Sequence, residues 1–174
     1  MATRSEILGR LAGARVTTAL EPLYVRAADA LERDGLGERL RAERWLGHSS
    51  HPVVNDVPIS LWTAASVLDV LGGRDARRSA ALLCSLGTLS AAPTALTGLA
   101  DLDRLEGEDR RLAVVHAAGN ALAVVLYAES SRQRRNGRHV RGAVAALAGG
   151  VAMTAAGMIG GELAFNRGGA GVRS

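Results

Sequence analysis

The chain has 174 residues, enough for one domain or a small helical bundle with an appendage, and it is 48% hydrophobic but only 3% aromatic. A core built on Phe, Tyr and Trp, as most soluble domains have, is excluded, because there are one, two and two of these. The net charge is +4 and all 21 basic residues are arginine, yet they fall between apolar stretches without interleaved aromatics, which argues against a nucleic-acid surface.

The bias to arginine fits a GC-rich bacterial genome. A single cysteine, Cys84, excludes an intrachain disulfide framework and a Cys-only metal site. Set in an apolar run, it reads as a small buried hydrophobe. Few prolines with many Ala and Leu favour helix throughout.

Residues 1–47 are polar and carry no apolar stretch of the kind that makes a cleavable signal peptide. Ile7, Leu8, Leu11, Val16, Leu20 and Leu23 recur at three- and four-residue spacing, with Pro22 as punctuation. Val25 to Leu31 continues the pattern, which Gly35 and Gly37 break. Leu36, Leu40, Trp45 and Leu46 then alternate with Arg39, Arg41 and Arg44. This is an amphipathic helical region, either lying at a membrane interface or packed on the exposed end of a helical bundle.

From residue 53 the composition changes. Residues 53–71, 79–100, 112–128 and 142–165 are runs of 17 to 24 residues with little charge. Each matches the roughly 20 residues that cross a ~30 Å hydrocarbon core. Short charged connections separate them, so the expected fold is all-α: an integral membrane four-helix up-down bundle over residues 48–166, with a flexible tail at 167–174. Two runs lack any polar stripe, which a soluble bundle would show on every helix. Ser90, Thr94 and Gly98, then Gly142, Ala146, Gly150 and Thr154, then Gly157 and Gly161, form small-residue stripes through which helices approach in lipid. Pro93 is expected to bend the second run and to free the carbonyl of Leu89.

The first and third connections are rich in arginine: Arg74, Arg77 and Arg78, then Arg132, Arg134, Arg135, Arg138 and Arg141. Basic short loops face the cytoplasm. This gives a multi-pass protein of the bacterial inner membrane with both termini outside, although Arg39, Arg41 and Arg44 pull the other way. Asp69 stands near Arg74, Arg77 and Arg78 and reads as half of a surface ion pair.

Alternation of four helices brings a polar set to one membrane face. It comprises His48, His51, Asn55 and Asp56 at the first entry and Asp101 at the second exit. His116 and Asn120 join it at the third entry, with Glu162 and Asn166 at the fourth exit. Ionisable groups at membrane depth are costly and mark either a site or a paired network. Three functional readings are open. His51 and His116 are candidate axial ligands of haem b. His48, His51, His116 and Glu162 are a mixed N/O set for a non-haem metal, with Asn55, Asp56, Asp101 and Asn120 as the supporting polar network. A quinone or proton site would use His116 and Asp56. Beside these stands the structural reading, in which Asp56 caps a helix and the His116–Asn120 pair ties helices together.

The string from Leu46 through His48, His51-Pro52, Asn55-Asp56 and Pro58, then Leu61-Trp62 and Leu68-Asp69, resembles a known family. Leu96-Thr97-Gly98-Leu99-Ala100-Asp101, His116-Ala117-x-x-Asn120 and Gly160-Gly161-Glu162-Leu163 follow in the same order, over roughly residues 46 to 172. The chain resembles the predicted four-helix bacterial membrane proteins called domain of unknown function 2231. The resemblance implies an integral membrane fold with no settled activity, and a redox setting, since some relatives carry a Rieske-type iron–sulfur domain. Relatives often have His where Glu162 stands; if the family binds haem through that position, this chain departs from it, and the resemblance then points to a carboxylate-tolerant metal site.

The expected function is thus a membrane redox-accessory protein that binds a haem, metal or quinone, with lipid, a membrane redox partner or a second copy as partners. The alternative is a structural or partner-binding membrane subunit without a cofactor. No nucleophile–base pair, phosphate loop or dinucleotide fingerprint is present. A small transporter fits less well, because four short spans leave little room for alternating access.

Overall fold

A computed structural model describes residues 2–167. The described residues form eight α-helices and a π-helical turn, and no strand. None of the first four helices is both long and apolar enough to span a membrane: α1 (Arg4–Ala12), α2 (Arg15–Arg33), α3 (Leu36–Arg41) and α4 (Glu43–Leu46). Then come α5 (His51–Leu71), α6 (Arg77–Leu102), α7 (Gly107–Arg135) and α8 (His139–Gly161), with the π turn at Glu162–Asn166. The tail expected at 167–174 lies outside the described residues from position 168 on.

Helices α6, α7 and α8 with its π turn are long and apolar enough to cross a membrane. At 1.5 Å per residue, their 26 to 29 residues reach roughly 39–44 Å, beyond the ~30 Å required. The expected first span is not among these three. At 21 residues α5 has the length, but Asn55, Asp56 and Asp69 lower its hydropathy. All four long helices overrun the apolar runs that announced them, since helix continues into charged ends such as Glu108–Arg111 and Glu129–Arg135.

The chain divides into two compact units. Within the described residues, unit one comprises the chain up to His51, Ala95–Ala118 and the stretch from Ala156 on. A capping box starts α1: Glu6 N–H donates to Thr3 Oγ1 (3.3 Å) and Thr3 N–H to Glu6 Oε2 (2.8 Å). Leu8 and Ala12 of α1 pack with Leu112, Ile159 and Leu163. Helix α2 runs unbroken through Pro22, contrary to the punctuation expected there, and packs Leu20, Tyr24 and Ala28 against Leu99, Leu102 and Val114. Arg41 is buried; it grips both carboxylate oxygens of Glu32 and donates to the Ala100 carbonyl at 2.7 Å. Trp45 is 91% exposed.

Unit two comprises Pro52–Thr94 and Gly119–Ala155. Its core holds Trp62, Ala65, Cys84, Ala91, Tyr127 and Ala146. The Trp62 and Tyr127 rings stack at 4.0 Å, only 3° from parallel. Trp62 lies where a side chain at Gly87 would stand, 2.7 Å from that missing Cβ. Pro58, inside α5, leaves the Val54 carbonyl without its helical donor; the Thr94 hydroxyl of α6 lies 3.3 Å from it and 3.0 Å from the Ser90 carbonyl of its own helix, so its one proton is shared between them. The stripe Gly142–Ala146–Gly150 meets Arg134 and Tyr127 as close approach requires, whereas Gly157 has nothing within 4 Å of where a Cβ would stand.

Asp69 finds a different partner from those expected. Its carboxylate takes both terminal nitrogens of Arg134, one at 2.7 Å, and the Arg134 side chain is fully buried. Arg134 Nε donates to Ser130 Oγ at 3.0 Å, and Ser130 Oγ in turn donates to the Gly142 carbonyl at 2.7 Å. Removing one partner of such a pair strands a buried charge, at about 3–5 kcal/mol, whereas replacing both with apolar groups costs far less. Asp69→Ala should therefore lower the thermal midpoint in detergent more than the double variant Asp69→Leu/Arg134→Met.

The Arg41 guanidinium holds the Glu32 carboxyl below its ordinary value of 4.5, first through the hydrogen bond and then through charge. A carboxyl depressed by folding adds stability above its unfolded value and loses it as pH falls through the folded one. Hydrogen exchange in α2 and α3 should rise as pH is lowered below about 4.5, after correction for intrinsic rates. Glu32→Gln should raise exchange at neutral pH and remove that dependence.

Candidate functional site

Two of the four histidines come together in unit one. His51 opens α5 and His116 lies in the third turn of α7; their rings are 6.4 Å apart between centres and edge to face at 89°. Each has its Nδ1 engaged. His116 Nδ1 is 2.8 Å from the Ala156 carbonyl of α8. A carbonyl only accepts, so Nδ1 carries the proton and the lone pair is on Nε2. His51 Nδ1 is 3.1 Å from the Thr97 hydroxyl of α6.

Both rings occupy notches cut by glycine. A Cβ at Gly98 would stand 2.7 Å from His51 Cε1, and one at Gly160 would stand 2.6 Å from His116 Cε1. Real Cβ contacts do not come so close, so each ring lies flush on backbone.

The first turn of α5 is fixed from below. Ser49 Oγ accepts the His51 backbone N–H at 3.2 Å and donates to Asp101 Oδ2 at 2.6 Å. Asp101 Oδ1 is buried with no hydrogen-bond partner among the described residues. Ser50 Oγ donates to the Leu40 carbonyl, which ties the α4–α5 connection to α3.

The other expected ligands are placed elsewhere. His48 is exposed, with Nδ1 2.8 Å from the carbonyl of the adjacent Ser49. Glu162 is engaged by Arg4 at 2.6 Å, by Asn166 at 2.6 Å and more distantly by Arg167 at 3.7 Å. Arg167 also reaches Asp109 and Glu108, at 2.9 and 3.0 Å. The set His48, His51, His116 and Glu162 does not form a metal-holding group: among the described residues no three His, Cys, Asp or Glu side chains gather in that way. Asn55, Asp56 and Asn120 belong to unit two, and Asp56 is exposed.

Four residues of this arrangement were not singled out as its parts from the sequence: Ser49, Thr97, Gly98 and Gly160. Gly98 had been read as helix-packing surface, but its neighbour is an imidazole. The signal was present in the strings Thr97-Gly98 and Gly160-Gly161, each a small residue beside or opposite a polar one in an otherwise apolar helix.

Residues 47–173 match the family model described as Predicted membrane protein (DUF2231). The chain belongs to this family. Comparison with curated proteins and with solved structures yields no match. The family's membrane character agrees with three helices long and apolar enough to span a bilayer.

The glycine notches predict an asymmetry between two neighbouring helical glycines. Gly160→Ala should drive a methyl into the His116 ring, at the ~1–3 kcal/mol typical of overpacking. Gly157→Ala meets open space and should gain up to ~1 kcal/mol of helix propensity. Thermal midpoints in the same detergent should move in opposite directions.

Proposed function

We propose that this chain is a membrane redox-accessory protein that holds a b-type haem through His51 and His116. The observation that carries the reading is the pair of rings 6.4 Å apart, each with Nδ1 already hydrogen-bonded. Metal-bound histidines generally give their other nitrogen to a carbonyl, carboxylate or water, which fixes tautomer and ring orientation. The Ala156 carbonyl fills that role for His116, and the Thr97 hydroxyl does so for His51.

A non-haem site asks the protein for three or more ligands, whereas a haem asks for two. That difference favours haem over the mixed metal set, and a quinone or proton site of His116 and Asp56 would leave His51 without a role. Bound haem would supply one-electron chemistry. The chain's own contribution is orientation: Thr97, Gly98 and Ser49 seat His51, while Ala156 and Gly160 seat His116. Around this site we read α5–α8 as a four-helix up-down bundle in a bacterial inner membrane, with the termini outside and electrons passed to a membrane partner or a second copy.

A second reading has one observation in its favour. Each ring fills a notch and each Nδ1 ties one helix to another, as a purely structural subunit would require. The two readings separate in an absorption spectrum. Protein expressed with ample haem and purified in mild detergent should show a Soret band that shifts on reduction, at about one haem per chain by pyridine haemochrome assay. His51→Ala and His116→Ala should each abolish it, and His48→Ala should retain it. Folded protein without that band, before and after haem is added back, would leave the structural reading.

A further inference from the structure

The two arginine-rich connections meet in unit two, whereas the residues proposed to hold haem belong to unit one. Helix α7 ends in a turn where Gly137, at φ +74°, donates to the Arg134 carbonyl (3.0 Å) and Arg138 N–H to the Gln133 carbonyl (2.9 Å). This paired closure reverses the chain within three residues. It sets Arg138, His139, Val140 and Arg141 beside Arg77, and together with Gly137 they line an open cavity of about 470 Å³.

The cavity lacks a counter-charge. Residues 72–78 and 129–141 contain eight arginines against Asp75 and Glu129. Glu129 is held by Arg132, and nearby Asp69 is held by Arg134. Among the described residues Arg77, Arg138 and Arg141 have no ion-pair partner, and the buried Nδ1 of His139 has no hydrogen-bond partner. Three arginines thus line one space, and the guanidinium fork matches the geometry of phosphate oxygens.

The apolar surroundings indicate where the phosphate comes from. Val140, Val144, Leu147 and Val151 are 63–72% exposed and recur at intervals of four, three and four. They make one stripe on α8 that starts at the cavity. Both α6 and α8 are long and apolar enough to cross a bilayer, so a basic cavity at their first turns stands where such helices leave the hydrocarbon. Basic pockets at that level bind anionic headgroups.

We propose that this cavity binds the phosphate of an anionic phospholipid, with an acyl chain lying along the Val140–Val151 stripe. The site belongs to unit two and does not depend on haem. It assigns the Arg77–Arg141 end of these helices to a leaflet rich in anionic lipid, in line with the positive-inside rule.

The test is native mass spectrometry of the detergent-purified full chain with phosphatidylglycerol or phosphatidylcholine of identical acyl chains. Wild-type protein should retain about one phosphatidylglycerol, with about a tenfold preference over phosphatidylcholine. Arg77→Gln/Arg138→Gln/Arg141→Gln should lose that preference. Arg10→Gln/Arg26→Gln/Arg33→Gln, which removes the same charge from exposed positions of α1 and α2, should keep it. Equal retention of both lipids by the wild type, or equal loss in both variants, would overturn the site. Inorganic phosphate that displaces phosphatidylglycerol completely at equal concentration would overturn the lipid assignment in favour of a soluble anion. If the triple variant proves unfolded by circular dichroism, the wild-type lipid preference and the phosphate competition still decide the matter.

Discussion

A ring can lie against a helix at backbone distance only where the helix gives up a side chain. This chain has few rings and spends glycines on them. Trp62 lies on Gly87, His51 on Gly98 and His116 on Gly160, each at a distance that a Cβ would forbid, and Tyr127 lies on Gly149 at 3.0 Å, where a Cβ would be tight. The polar atoms of the rings then find partners in the same step, Trp62 Nε1 with Thr88 and the two imidazoles with Thr97 and Ala156. Packing of this kind draws on close van der Waals contact and hydrogen bonding rather than on expulsion of water, and it is the form that helix association takes in lipid. The abundance of glycine and the scarcity of aromatics are therefore two sides of one packing rule.

The same economy governs the backbone. Pro58 removes an amide donor, and the Thr94 hydroxyl from another helix comes within reach of the Val54 carbonyl while also serving the Ser90 carbonyl of its own helix. Where water is absent, an unmet carbonyl is expensive enough to select its partner. Arg134 repeats the logic with charge: buried in unit two, it is met by Asp69, Ser130 and the backbone region around Gly142.

Much of the fold was legible because composition changes sharply at residue 53. The four apolar runs marked α5 to α8 closely at their interiors and poorly at their ends. Helical hydrogen bonding continues through Arg132–Arg135 regardless of polarity, and hydropathy cannot see it. The same measure leaves α5 outside the three helices apolar enough to cross a membrane, and its Asp56 and Asp69 are the reason. Asp69 was assigned to Arg74, Arg77 and Arg78 because they are near in sequence, while its partner Arg134 is 65 positions away. Alternation of helices placed His51 and His116 at one end, and their rings do meet. Nothing in the spacing of His48 or Glu162 showed that the first would lean on its neighbour's carbonyl and the second would be drawn off by Arg4. Such outcomes depend on which cation arrives first in three dimensions.

The buried Arg134–Asp69 couple also sets a limit on traffic. A guanidinium does not release its proton under any condition a cell meets, so the couple is a neutral, permanently closed circuit. It cannot serve as a stepping stone for protons moving along the helices of unit two. The two imidazoles of unit one and Asp101, whose second oxygen has no hydrogen-bond partner among the described residues, are not closed off in this way.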